Sequence, residues 1–333
     1  MDLSIVVHEA PFGPLVVLYL FLAGLSQGLF LISAAGTMGW APLRPLARPA
    51  AAMALATFLP GMLALIFDLG KPARFFQLLL HYNFSSVMSW GTIILTLYGL
   101  LLSAYIWSLW RGGTAARRLA GLGIFLALSL GGYTGMLLAV VRDRPIWASG
   151  LLPVLFIVSG LVAGIAVITV LARWIPELVG LEKGHTAEVL HSLKLWLVGA
   201  EVALLGIHFL VLFTGSAAGQ VAAQHFLIGA RQFSFLWLQV GLGMVLPVIL
   251  LILASVGRMG GLAILAGLLS LMGVFALRYN LVIGGGEIPL TGEVLNYAHA
   301  SPAIWTTFGV LAGLAAILAL VMPGLLNRLL PRA

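Results

Sequence analysis

Cysteine is absent from the 333 residues. That excludes disulfides, thiolate-held iron–sulfur clusters and covalently attached c-type haem on this chain. Charge is scarce as well: Asp, Glu, Lys and Arg make up only 8%, where a soluble domain carries about 25%. A water-facing globule is excluded. What fills the sequence is apolar, 62% hydrophobic with a mean hydropathy of +1.13. Apolar segments in a bilayer must satisfy their backbone hydrogen bonds internally, so the fold class expected is an all-α polytopic membrane protein. The formal net charge of +7 does not point to nucleic acid, because the basic residues are scattered among short loops, as topology signals are. The start, Met1-Asp2-Leu3-Ser4, has no positive n-region, and the first apolar run outlasts an h-region, so no cleavable signal peptide is expected.

Nine spans of about 20 residues are predicted, over 14–36, 49–69, 87–110, 119–141, 151–172, 193–214, 233–256, 260–278 and 303–326. With the N-terminus outside, eleven Lys and Arg fall in inner segments and six in outer ones: Lys71, Arg74, Arg142, Arg144, Arg231 and Arg278. That bias favours N-out, C-in. Gly24 and Gly28 in the first span are matched by Gly160 and Gly164 in the fifth, each pair letting a neighbouring backbone approach closely. The weak repeat suggests a four-helix bundle over 1–145, a second over 146–280, and an outer loop with one more helix over 281–333.

Ionisable and hydrogen-bonding groups inside the spans are the informative ones. On the sixth span His191, Lys194, Glu201 and His208 fall at about 0°, 300°, 280° and 260°, one polar stripe. It reads either as a proton path from the inner face or as a neutral helix–helix contact. Toward the outer side, Tyr19, Asp68 and Tyr133 bring hydrogen-bonding groups from three spans to comparable depth in apolar surroundings. Such a place suits a ligand with a polar head and an oily tail, as a quinone has. The plain alternatives are interfacial tyrosines and an Asp68 paired with Lys71 or Arg74.

Three furnished loops share the outer face: Asp68 to Phe75, Arg142-Asp143-Arg144-Pro145, and Gly284-Gly285-Gly286-Glu287. They suggest a docking surface for a peripheral partner, with Lys71, Arg74, Arg142 and Arg144 as its cations. Haem b needs a buried His on each of two facing helices. Of seven histidines only His208 is deep within a predicted span, so the sequence argues against haem; no metal-ligating cluster is expected.

The ordered fragments Tyr19-Leu20-Phe21-Leu22-Ala23-Gly24, Asp68-Leu69-Gly70-Lys71-Pro72-Ala73-Arg74-Phe75, Ser86-Val87-Met88-Ser89-Trp90-Gly91, Tyr133-Thr134-Gly135, Arg144-Pro145-Ile146-Trp147 and Leu281-Val282-Ile283-Gly284-Gly285 together resemble the NrfD-like family, the membrane subunits of polysulfide reductase and related respiratory complexes. The resemblance implies a haem-free inner-membrane subunit exchanging electrons between the quinone pool, menaquinone or ubiquinone, and a ferredoxin-like iron–sulfur subunit on the outer face. That partner would lead to a molybdopterin catalytic subunit or a multihaem cytochrome, so iron–sulfur clusters and molybdopterin would sit only in partners. The family's quinone-site tyrosine falls on Tyr133. Its first-helix His and Asn fall on Tyr19 and Val16, a departure from the family pattern. Asp68 belongs to the shared motif and could exchange protons with outer water. A secondary transporter and a passive anchor for an extrinsic enzyme are the readings from other classes.

Overall fold

The computed structural model describes residues 11–69, 83, 86–172, 174–175, 178, 184–257, 260–295 and 300–330. Among these there are ten helices and no strand. They are α1 Pro14–Met38, α2 Ala47–Asp68 (entered through a 3-10 turn, Ala41–Leu46), α3 Val87–Trp110, α4 Ala115–Ala139 and α5 Leu152–Leu171. There follow α6 His185–Thr214, α7 Ala217–Leu227, α8, α9 and α10 Pro302–Leu329. In α8 a π-helical stretch, Phe233–Val245, runs into Leu246–Gly257; in α9 Gly260–Tyr279 continues as a π-helical turn, Asn280–Gly284. All but α7 are long and apolar enough to cross a membrane. The protein is a multi-pass membrane protein, and the odd number of described spans puts the start of α1 and the end of α10 on opposite faces. The face on which α1 starts is called the N-face below.

Local chemistry explains where helices begin and end. Pro14 occupies the first turn of α1, where its missing N–H costs nothing. Gly39 ends α1 with φ +115°, its N–H bonded back to the carbonyls of Ala35 and Gly36, a conformation that side chains resist. Ser216 caps α7 through its hydroxyl to the Gly219 N–H.

α1 is the central helix, packed on α2, α4 and α5. Of its apolar window 89% is buried, against 22% for α10, which lies against α2 at the rim. The expected close approach at the paired glycines is made between the two pairs themselves: α1 crosses α5 with Gly24 and Gly28 facing Gly160 and Gly164. A Cβ on Gly28 would fall on the Gly160 carbonyl, and one on Gly164 would lie 2.8 Å from the Gly28 carbonyl carbon. The backbones therefore touch, as small-residue membrane crossings allow.

Three differences from the sequence reading bear on the site. α6 starts eight residues early, at His185. α7 occupies part of what read as an outer loop, and its His225 is buried. Most consequential, the last N-face helix continues to Gly284, so Arg278, expected in an outer segment, is fully buried inside the bundle. It must be removed from the outer charge count, which falls to five. The hydropathy of the run ended at the arginine; the helix did not.

Candidate functional site

Of the three groups expected near the N-face, Tyr19 and Tyr133 lie near each other, and Asp68 stands beside the start of α1. Asp68 is the last residue of α2 and is exposed. Its carboxylate oxygen lies 3.5 Å from where a Cβ on Gly13 would stand, at the start of α1, whose free N–H groups carry partial positive charge. Tyr19 lies five residues into α1, about 7.5 Å deep, and Tyr133 six residues before the end of α4, about 9 Å deep. The two phenols are close enough to interact electrostatically. The end of the Tyr133 ring rests on Gly91 of α3, where any Cβ would collide with the hydroxyl. Gly91, which the sequence reading used only as part of a motif, is thus a wall of the site.

The Tyr19 hydroxyl has no accessible surface and no hydrogen-bond partner. A buried hydroxyl left unpaired costs about 1–3 kcal/mol, so one in a native protein calls for an explanation. Next to Asp68, a groove of about 460 Å³ runs between the end of α2 and the start of α10. Phe67, Thr306, Thr307, Val310 and Leu311 line it. Both threonine hydroxyls bond to their own helix, at the carbonyls of Pro302 and Ala303, which leaves the groove apolar.

The stripe on α6 faces inward. Lys194, Glu201 and His208, seven residues apart in turn, are each 1% exposed, and His191 is half-buried beside the Leu251 backbone. The Lys194 ammonium donates to the Ala266 carbonyl at 3.1 Å. One oxygen of Glu201 has no hydrogen-bond partner, and the His208 ring stands beside the Ile146 backbone. Facing them are groups that the sequence reading missed. Arg278 of α9 interacts electrostatically with Glu201. It donates through Nη2 to the Phe156 carbonyl (3.2 Å) and to Ser159 Oγ (2.7 Å), both on α5. Asn280 donates to Gln239 Oε1 at 2.8 Å and to the Ser234 carbonyl at 3.1 Å, joining the two π-helical stretches. The Gln239 amide nitrogen and the Asn280 amide oxygen remain unpaired at a void of about 10 Å³, room for about one water. Helical phase would have found Arg278, because the apolar run Leu281-Val282-Ile283 continues past it.

Between α1 and α3 the hydroxyl groups are paired off, while Gln27 Oε1 of α1 is buried without a partner. Ser26 donates to the Ala54 carbonyl (2.8 Å) and meets the Tyr98 hydroxyl (2.9 Å). Ser33 repeats this one heptad on, with the Ala47 carbonyl (2.5 Å) and Tyr105 (2.8 Å), which also meets Thr37 at 2.6 Å. Phe30 fills the space between the two tyrosine rings.

At the N-face surface two of the expected docking loops form one unit. Trp147 Nε1 donates to the Leu281 carbonyl (2.5 Å), and the Leu290 N–H donates to the Asp143 carbonyl (3.1 Å). Arg142 is exposed and Arg144 half-buried; Lys71 and Arg74 lie outside the described residues. Glu287 of this loop bonds His225 at 2.9 Å and takes two hydrogen bonds from Arg231, one at 2.9 Å. Burial works to raise the Glu287 carboxyl, but these bonds prevail and hold it below the usual range. Burial likewise works to lower Arg231, and Glu287 together with Tyr279 more than reverses it, so the guanidinium ends above its ordinary value.

Residues 6–289 match the family model described as Polysulphide reductase, NrfD. The protein is 32% identical over 304 residues to the polysulfide reductase subunit designated C of Wolinella succinogenes, covering 81% of this sequence and 92% of that one. It is 30% identical to Protein NrfD of Escherichia coli, over 81% and 93% of the two sequences. With the Hdr-like menaquinol oxidoreductase integral membrane subunit of Archaeoglobus fulgidus it shares 27% identity, over 90% and 78%.

Proposed function

This chain belongs to the polysulphide reductase NrfD family, and from that premise we propose that it is the quinone-facing membrane subunit of a respiratory oxidoreductase complex, with its N-face outside and its C-terminus in the cytoplasm. Relatives named for polysulfide, selenate and menaquinol reactions support a place in a redox complex. Membership alone does not say where a quinol would bind. The observation that carries the reading is the Tyr19 hydroxyl, sealed and unpaired beside Tyr133.

A quinol that enters this place supplies two electrons and two protons as it becomes quinone. Tyr19 and Tyr133 orient its head-group oxygens by hydrogen bonds, and Asp68 at the N-face rim passes protons to water. The apolar groove of Phe67, Thr306 and Thr307 suits the isoprenoid tail. The protein offers no thiolate, so electrons leave for an extrinsic ferredoxin-like iron–sulfur subunit docked on the cationic turn of Arg142 and Arg144. A molybdopterin subunit or a multihaem cytochrome lies beyond that partner. The column of His191, Lys194, Glu201 and His208 supplies a proton route from the cytoplasmic side.

The test is Tyr133→Phe in the whole complex, followed by quinol-dependent reduction of the partner. A general acid–base group is worth about 10²–10⁴ in rate, so turnover falls by about a hundredfold while the extrinsic subunit stays bound. Unchanged turnover with a full complement of partner overturns the site.

A further inference from the structure

The two π-helical stretches meet at a pair of amides. In α9 the Gly285 N–H bonds back five residues to the Asn280 carbonyl, and in α8 the Leu246 N–H does the same to Gly241. Gln239 lies inside the stretch of α8, and both amide residues are at most 1% exposed. The two helices touch backbone to backbone at Gly243 and Gly273, where a Cβ on either glycine would fall on the other. Gln239 stands four residues from that contact, toward the N-face.

The orientation of the amides follows from their neighbours. One atom of the Asn280 amide lies 3.1 Å from the Ser234 carbonyl oxygen and 2.8 Å from an atom of the Gln239 amide. A carbonyl oxygen only accepts, so the Asn280 atom is the nitrogen and the Gln239 atom it meets is the oxygen. That leaves one donor, Gln239 Nε2, and one acceptor, Asn280 Oδ1, both buried and without a partner among the described residues. Both residues line a cavity of about 10 Å³, close to the least that one water needs. Its other walls are apolar and include Phe209, Phe226 and Phe235. The Phe235 ring lies 4.6 Å from that of Phe209 and 5.6 Å from that of Phe226, centroid to centroid. A buried water needs two to four polar partners. Here two are offered, one of each kind.

Helical phase explains why α8 is π-helical at this place. Five residues of an α-helix turn through about 500°, which would leave residue 239 about 140° around the axis from residue 234. A π-helix bonds residue i to residue i+5 and so stacks the two. Ser234 and Gln239 then face one neighbour, and the single Asn280 amide reaches both.

We propose that the π-helical stretch of α8 and Asn280 of α9 build a binding site for one water, which accepts a hydrogen bond from Gln239 Nε2 and donates one to Asn280 Oδ1. The water completes the amide pair and fixes the register of α8 against α9, because buried polar groups that are fully satisfied specify one packing. The site rests neither on the quinone reading nor on the proton route.

The experiment is cryo-electron microscopy of the purified complex at a resolution that shows ordered water, with detergent melting of two variants beside it. The parent map carries one isolated density within hydrogen-bond distance of both amides. A cavity without density, or amides paired so that neither is open, overturns the proposal. In Asn280→Leu the density is gone and the Gln239 amide keeps neither partner, so the complex melts lower than the parent. Adding Gln239→Leu removes the stranded amide, and the double variant melts higher than Asn280→Leu, since replacing both partners of a buried polar pair by apolar groups is close to neutral. A double variant that melts no higher than Asn280→Leu overturns the pairing. If neither variant assembles, the parent map decides alone. None of these readouts involves quinol turnover, so failure here is separable from failure of the Tyr133 site.

Discussion

The two halves of the core treat polarity in opposite ways. Between α1 and α3, Ser26, Ser33, Thr37, Tyr98 and Tyr105 satisfy one another or a backbone carbonyl. Between α6, α8 and α9, Glu201, His208, Gln239, Arg278 and Asn280 all retain unpaired atoms. Closed hydroxyl pairs add rigidity and leave no capacity for a guest, whereas open charged and amide groups invite water. The lesson is that the first half is a largely paired frame in which the Tyr19 hydroxyl and Gln27 Oε1 are left over, and the second half is a column of buried polar groups with open hydrogen-bonding capacity. The π-helical stretches of α8 and α9 fall in that column, as such stretches often do at functional sites.

The largest expected effect tests the seam between the halves. Gly28→Val puts branched aliphatic carbons onto the Gly160 carbonyl. Overpacking costs about 1–3 kcal/mol in a core that can adjust, and two touching backbones cannot, so membrane-inserted protein should be nearly lost, as read by immunoblot against the parent. Next is Tyr19→Phe. If the phenol meets a quinol oxygen, losing one hydrogen bond of about 1.4 kcal/mol slows turnover about tenfold. If the hydroxyl meets nothing, the variant keeps its turnover and becomes more stable, and the comparison loses its unsatisfied phenol.

Tyr98→Phe comes third. It strips Ser26 of one partner, and a cost of about 1 kcal/mol is expected in the detergent melting of the complex, with proton uptake by reconstituted vesicles unchanged. Lost uptake would show that the first half takes part in proton conduction. Glu287→Gln should matter least and only in acid. The carboxyl is held below its ordinary range in the folded protein, so its stabilisation is complete above the unfolded value, about 4.3. It is then lost as pH falls through the folded value. Relative to the parent, the variant is less stable near neutrality, and its melting point declines less below about pH 4.

Much of this was legible beforehand, and the reasons are local. Span positions follow from apolar length, and the inward face of Lys194, Glu201 and His208 follows from heptad spacing on one helix. The touching backbones at Gly24, Gly28, Gly160 and Gly164 follow from the absence of side chains. A further signal went unused: Ser26 and Ser33 stand seven apart, as do Tyr98 and Tyr105, the same heptad on two helices. Arg278 was hidden because a charge at the end of an apolar run reads as a loop residue, when its cost was in fact offset by partners on α5 and α6. His225 was hidden for a similar reason, its partner Glu287 lying 62 residues away.

The sequence by itself determined that this protein crosses a membrane nine times within the described residues and which faces of α1 and α6 turn inward, because hydrophobic length and helical phase are properties of single segments. Only the tertiary structure decided that Tyr133 rests on Gly91, that the Tyr19 hydroxyl has no partner, and that Arg278 is seated on Phe156 and Ser159 of α5. Those are relations between helices far apart in sequence, set by how backbones pack, and no single segment encodes the distance to another.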